Sequence, residues 1–354
     1  MKKFIAFLVV ITVLTINCSD DKTNYNSESS SITYTLGISF PPVSDNEQRN
    51  FTDPLLNELN VKHIRIGEDW SFREPIQGSF NWQPLDDRIN WATENNINIL
   101  LTIQSNGPDW ACSDLQNQNS CVYNNNNEFK NYIQQLLQRY PNQISKIQFG
   151  NEWQSDFWYI GSEEQFTEAN NIVYDAIQQY SPETQLILGG FTTISLRFLA
   201  GCNGLIDSFY NDEGDLFDQD FFNENCDNIE FQTVINRINY ILDNASYDLL
   251  DIHLYDDVEN WMIYYENFIT LTTKPVIITE FGGPNLNLEP TSEQYQSERL
   301  KLYIETIDSM KVDEAYFFKL VEGSSNPAHA QSGLIDNETL NKKLSFFAFK
   351  DYNN

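Results

Sequence analysis

The chain has 354 residues, enough for one large or two ordinary domains, and its 51 acidic against 21 basic residues give a formal net charge of -30 at pH 7. So negative a chain excludes binding to nucleic acid or to an anionic membrane face by counterion release, and leaves a neutral partner or one held by a few local cations. Seven tryptophans and 18 tyrosines suit stacking on sugar faces and filling a large core equally well.

At the amino terminus, Met1-Lys2-Lys3 and the apolar run Phe4 to Ile16 form a basic n-region and an h-region too short to span a bilayer, an export signal over residues 1–17. Cys18 follows, with a polar tether over residues 18–31, as in a bacterial lipoprotein acylated on that cysteine. Leu14 stands one position further from Cys18 than in the usual lipobox, and Asn17 replaces a small residue. An outer-membrane lipoprotein of the cell envelope and a simply secreted protein are therefore both kept.

Residues 32–354 are expected to form one domain. Apolar runs at 33–40, 61–67, 97–104, 144–150, 185–190, 249–253, 276–279 and 314–319 predict eight strands. Most are apolar on both faces, as parallel strands covered on both sides must be. Between them lie helical patterns such as Phe129, Tyr132, Ile133, Leu136, Leu137 and Phe166, Ala169, Ile172, Val173, Ala176, Ile177, with apolar positions three and four apart. Eight βα units predict a closed (β/α)8 TIM barrel.

Two of the runs end on a glutamate, at Gly150-Asn151-Glu152-Trp153 and Thr279-Glu280-Phe281-Gly282. In such a barrel functional groups sit at the C-terminal ends of strands, and a carboxylate there is costly to desolvate unless partners and chemistry hold it. Two suggest an acid and a nucleophile. The pair stands further apart in sequence than three βα units of about 31 residues would place it, which assigns an insertion of about 195–227 to the fifth βα loop. Its acidic run Asn211-Asp212-Glu213-Gly214-Asp215 lacks the EF-hand spacing and is expected as a solvated loop rather than a calcium site. The four cysteines after the tether favour, by local spacing, the bridges Cys112–Cys121 and Cys202–Cys226, with free buried thiols as the alternative. No CxxC spacing supports a metal, and no cofactor motif occurs.

Asn151-Glu152 after strand four and Thr279-Glu280-Phe281-Gly282 after strand seven resemble the signature of the clan A retaining glycoside hydrolases. Arg65 at the end of strand two, the run Arg73 to Trp82 and Ser181-Pro182-Glu183-Thr184 resemble families 39 and 5 of that clan. The likeness implies that Glu152 is the general acid/base and Glu280 the nucleophile, with Asn151 placed to bond the sugar 2-hydroxyl and His253 and Tyr255 to bond the nucleophile or substrate. Arg65 would keep Glu280 ionised. Each assignment has a plainer rival: a glutamate that caps a helix, Arg65 paired with Glu68 or Asp69, His253 and Tyr255 as satisfied core residues.

Trp70, Trp110, Trp153, Trp158 and Phe281 follow strand ends and are candidate sugar platforms, with core packing as the alternative; Trp82 and Trp91 are assigned to packing. Clan relatives carry a tryptophan at the end of strand eight, where this chain has Tyr316-Phe317-Phe318-Lys319-Leu320. Phe318 is the candidate replacement platform, and Lys319 either faces the site, hinting at an acidic or substituted sugar, or pairs with Glu322. The function expected is a monomeric retaining β-glycoside hydrolase acting on an extracellular poly- or oligosaccharide. A catalytically silent glycan-binding surface lipoprotein on the same barrel is the alternative. An esterase or metallohydrolase finds no support: there is no G-x-S-x-G, no H-E-x-x-H, and only three histidines.

Overall fold

The computed structural model describes residues 32–113, 119–210, 215–283, 292–323 and 329–353. The signal, the tether with Cys18, and residues 211–214 of the acidic run lie outside them.

Eight parallel strands close into a barrel: β1 (Thr35–Ser39), β2 (His63–Glu68), β3 (Asn98–Ile103), β4 (Lys146–Phe149), β5 (Gln185–Phe191), β6 (Leu249–Tyr255), β7 (Val276–Gly282) and β8 (Glu314–Phe318), with β8 pairing back onto β1. The predicted (β/α)8 TIM barrel is therefore the fold, in a single domain. All eight runs became strands, but β6 and β7 continue past the expected ends at 253 and 279. Their ladder carries on through His253↔Glu280 and Tyr255↔Gly282 after a register shift. Polar residues look like loop in a one-dimensional pattern, whereas here they still pair on both sides, so Glu280 lies within a strand.

Helices cover the outside as the spacing requires. Helix α1 (Asn126–Arg139) buries Phe129, Tyr132, Ile133, Leu136 and Leu137, and α2 (Glu163–Tyr180) begins at a capping box made by Ser162 and Gln165. The main apolar core lies between these helices and the strands. A second, separate buried cluster of Leu100, Ile187, Leu249, Ile277 and Tyr316 fills the barrel interior. Gly37 makes room for it, since a Cβ there would stand 2.6 Å from the Tyr316 ring. Below this layer Lys146 pairs with Glu314 at 2.6 Å, and Tyr316 donates to the same carboxylate at 2.7 Å. Above it the interior turns polar, with Ser39, Arg65, Thr102, Gln148, Asp251 and Thr279 all fully buried. That polar layer supports the C-terminal mouth.

Both cysteine pairings form, Cys112–Cys121 after β3 and Cys202–Cys226 after β5. The second joins helix α3 (Thr193–Cys202) to the end of a short helix over Gln219–Asn225, around the rings of Phe198, Phe209, Phe217, Phe221 and Phe222. Among the described residues no helix is long and apolar enough to cross a membrane.

Candidate active site

Strands β2, β4, β6 and β7 bring the two glutamates to one place. Glu280 projects from β7 and Glu152 from the turn after β4, where Gly150 (φ 72°) and Glu152 itself (φ 45°) adopt left-handed backbone. An oxygen of each glutamate and a ring nitrogen of His253 all lie within 4.8 Å of one another. The Glu152 side chain is 22% exposed and that of Glu280 9%, so both face an opening rather than the sealed core.

Each carboxylate has its own partners. Glu280 Oε1 accepts from Arg65 Nη1, Oε2 accepts from the Tyr255 hydroxyl, and His253 Nδ1 stands 3.8 Å from Oε2. Burial alone would raise its pKa; the charges of His253 and Arg65, with the hydrogen bonds from Tyr255 and Arg65, override it and hold the value at about 2. Glu280 is thus an ionised, aimed carboxylate. Burial, then Glu280, pushes the Tyr255 phenol well above its ordinary range and keeps it a donor.

Glu152 is held more loosely. Its Oε1 lies 2.8 Å from His253 Nδ1, and its Oε2 accepts from Trp158 Nε1 at 2.9 Å.

Arg65, fully buried, uses its whole guanidinium: Nε donates to Thr102 Oγ1 at 2.8 Å, Nη1 to Ser39 and Glu280, and Nη2 to Asn151 Oδ1 at 2.8 Å, over the Phe40 ring. The rival pairing with Glu68 is ruled out because Arg73 and Arg88 occupy that carboxylate; Asp69 accepts from Asn106. His253, also fully buried, is raised to about 10. Desolvation lowers it, but the neighbouring Glu280 and Asp251 charges and the hydrogen bonds to Asp251 and Glu152 outweigh that. Arg65, Asn151, His253 and Tyr255 therefore gather around the glutamates. An imidazole so engaged at both nitrogens and a guanidinium on Glu280 surround the carboxylates with donors and cations, which opposes a metal ion.

The aromatic expectations divide. Trp70 is fully buried against Trp110, Tyr123, Phe129 and Tyr132, with its N–H on Glu74. Trp153 is fully buried against Phe166 and Phe191, and Phe281 packs on Phe317. These three belong to the apolar core cluster, and the platform role is withdrawn for them. Trp110, half-buried, braces the Trp70 ring and donates to the Glu74 carbonyl at 3.1 Å. Trp158 instead reaches the site through its bond to Glu152.

Phe318 is half-buried and meets Tyr255, Phe40 and His329 edge-on at 6.3, 6.4 and 5.6 Å, which makes it a wall beside Tyr255. Lys319 does not pair with Glu322; Lys343 takes that carboxylate, and the Lys319 ammonium donates to the Gly323 carbonyl and lies over the Phe318 ring. Sequence reasoning missed Asp251, two residues before His253 on the same face of β6, and Phe40 under Arg65. The alternation Asp251, His253, Tyr255 was the available signal.

Two family models match this chain, "Glycosyl hydrolase family 10" over residues 57–172 and "Glycosyl hydrolase catalytic core" over 175–347. Endo-1,4-beta-xylanase 1 of Arabidopsis thaliana is 31% identical over 113 residues, which are 30% of this chain but only 11% of that protein. Three solved structures share the fold. Xylanase 10B of Thermotoga petrophila RKU-1, in complex with xylobiose, has a TM-score of 0.58 at 15% identity over 90% of this chain and 93% of its own. A family 39 glycoside hydrolase of Bacteroides cellulosilyticus WH2 has 0.59 at 13% over 89% and 62%. A GH5 enzyme of Streptomyces cattleya, in complex with Manb1-4GlcNAc, has 0.63 at 13% over 90% and 80%. The expected likeness to families 39 and 5 thus appears among the fold neighbours, while a family 10 model matches the sequence over residues 57–172. The two glycosyl hydrolase models match successive segments in the two halves of the barrel.

Proposed function

We propose that the chain is a retaining β-glycoside hydrolase in which Glu280 is the nucleophile and Glu152 the general acid/base. The observation that carries this reading is that oxygens of the two glutamates lie within 4.8 Å of each other. Retention needs carboxyl groups about 5–5.5 Å apart, and inversion about 6.5–9.5 Å to admit a water between them.

The environments divide the labour. Glu280, held at about 2, attacks the anomeric carbon through one oxygen while Arg65 and Tyr255 fix its direction. Glu152 gives its proton to the departing oxygen, so that C–O bond breaks as the glycosyl ester on Glu280 forms. In the second half Glu152 takes a proton from water, the water oxygen attacks the anomeric carbon, and Glu280 leaves. Asn151, oriented by Arg65 Nη2, is placed for the sugar 2-hydroxyl, and Phe318 with Tyr255 lines the glycone pocket.

The substrate class is an extracellular poly- or oligosaccharide, and the xylanase match directs first assays to β-1,4-linked xylan and its oligomers. Export through the signal, tethering through Cys18 and a monomeric state complete the proposal. Product configuration by NMR tests retention. Glu280→Gln should abolish turnover with the fold intact, and Glu152→Ala should spare aryl glycosides with activated leaving groups far more than natural substrates. Full activity of Glu280→Gln, or equal loss on both substrate types in Glu152→Ala, would refute the assignment.

A further inference from the structure

We propose that Asp251 is the positioning residue of this site: it holds His253 as a fixed imidazolium between Glu152 and Glu280, so that one cation faces whichever glutamate is ionised at each half of the reaction. The inference rests on the retaining mechanism above and adds to it a residue behind the reacting atoms.

Asp251 is fully buried on β6. Its Oδ1 accepts from the Thr279 N–H at 2.8 Å; its Oδ2 accepts from the Gly190 N–H at 3.0 Å and the Thr279 hydroxyl at 2.6 Å, and faces His253 Nε2 at 3.3 Å. Three hydrogen-bond donors and the facing imidazole thus converge on its two oxygens. The Thr279 hydroxyl gives its only hydrogen to Asp251, so its oxygen accepts from His253 Nε2 at 3.2 Å. Nε2 therefore carries a hydrogen. On the other side of the ring Nδ1 stands 2.8 Å from Glu152 Oε1 and 3.8 Å from Glu280 Oε2.

That placement matters because the negative charge moves. Before attack Glu280 is ionised and Glu152 carries the proton; in the glycosyl-enzyme Glu280 is a neutral ester and Glu152 is ionised. A single Nδ1–H⁺ within reach of both compensates the charge on either side of the step, without rearrangement of buried groups. Every charged or titratable group facing His253 enters this balance: Asp251 on its own strand, Glu152 from the turn after β4, Glu280 from β7, and Arg65 and Tyr255 acting through Glu280. Strand β5 contributes only Gly190, whose Cβ position lies 2.7 Å from the ring and admits no side chain.

The test is NMR of the imidazole nitrogens in the intact protein, which has three histidines, with the His253→Gln spectrum providing the assignment. His253 should stay doubly protonated through pH 8 in the wild type and titrate below that in Asp251→Asn. A wild-type His253 that titrates near its ordinary value of 6.5, or one unmoved by Asp251→Asn, overturns the proposal. In kinetics Asp251→Asn should lose at least about ten-fold on natural and activated aryl substrates alike, with the alkaline limb of kcat/KM moved to lower pH. Loss with an unmoved pH profile would make Asp251 a merely structural tie between β5, β6 and β7, and would sink the idea. Should Asp251→Asn fail to fold, Thr279→Val removes only the hydroxyl and should shift the His253 titration in the same direction; no shift there is equally fatal. The spectra need no turnover, so a chain that hydrolyses no glycoside would fail the proposed function and leave this arm decided on its own.

Discussion

Gly190→Ala probes how tightly the site is built. The added Cβ would stand 2.7 Å from both Cε1 and Nε2 of His253, where ordinary contact is about 3.5–4.0 Å. The ring must retreat by about 1 Å, and it is fully buried, so the retreat also disturbs its neighbours. The Gly190 N–H that donates to Asp251 survives in alanine, while the Cβ also stands 3.2 Å from the Glu152 backbone nitrogen, so the strain falls on the imidazole first and on the turn that carries Glu152 second. Overpacking of this kind costs about 1–3 kcal/mol of stability, a few degrees of melting temperature for a domain this large. Activity should suffer more, because a misplacement of about 1 Å in a catalytic array costs roughly 100-fold. Circular dichroism melts and kcat/KM on an aryl glycoside measure the two effects. A variant that turns over within about two-fold of wild type would refute the claim that His253 must sit where it does.

Tyr255→Phe removes the hydroxyl that donates to Glu280 Oε2; a bond to a charged group is worth about 1.5–3 kcal/mol, so kcat/KM should fall roughly 10- to 100-fold with some loss of melting temperature, and an unchanged rate would deny the contact its role. Replacing Cys202 and Cys226 by serine opens a loop with a sequence separation of 24 and should cost about 3 kcal/mol on the chain-entropy model, seen in denaturant titrations, while the barrel with its two glutamates keeps its activity at low temperature. The pH dependence of stability follows from two opposite shifts. Glu280 is depressed from 4.5 to about 2, so its contribution is complete above pH 4.5 and is lost as pH falls toward 2; His253 is raised from 6.5 to about 10, so its contribution is complete below pH 6.5 and is lost as pH rises toward 10. The melting difference between wild type and Glu280→Gln should shrink between pH 4.5 and 2, and a difference constant over that range would contradict the depressed carboxylate.

Glu152 and Glu280 were legible in the sequence because each closes an apolar run, and position along a strand is a local property. The eight strands, the helical faces and the two cysteine pairings were legible for the same reason: periodicity and short spacing are written within a few residues of one another. Which aromatic rings face sugar and which face the core was not local. Trp70 and Trp153 follow strand ends just as Trp158 does, and Phe281 lies near the end of β7, yet these three are fully buried while Trp158 meets Glu152. Burial depends on what the opposite side of the barrel places there. Asp251 escaped notice on the same ground, since its three hydrogen-bond donors come from Gly190 on β5 and Thr279 on β7, far from it in the chain, and only the tertiary fold brings them onto its two oxygens.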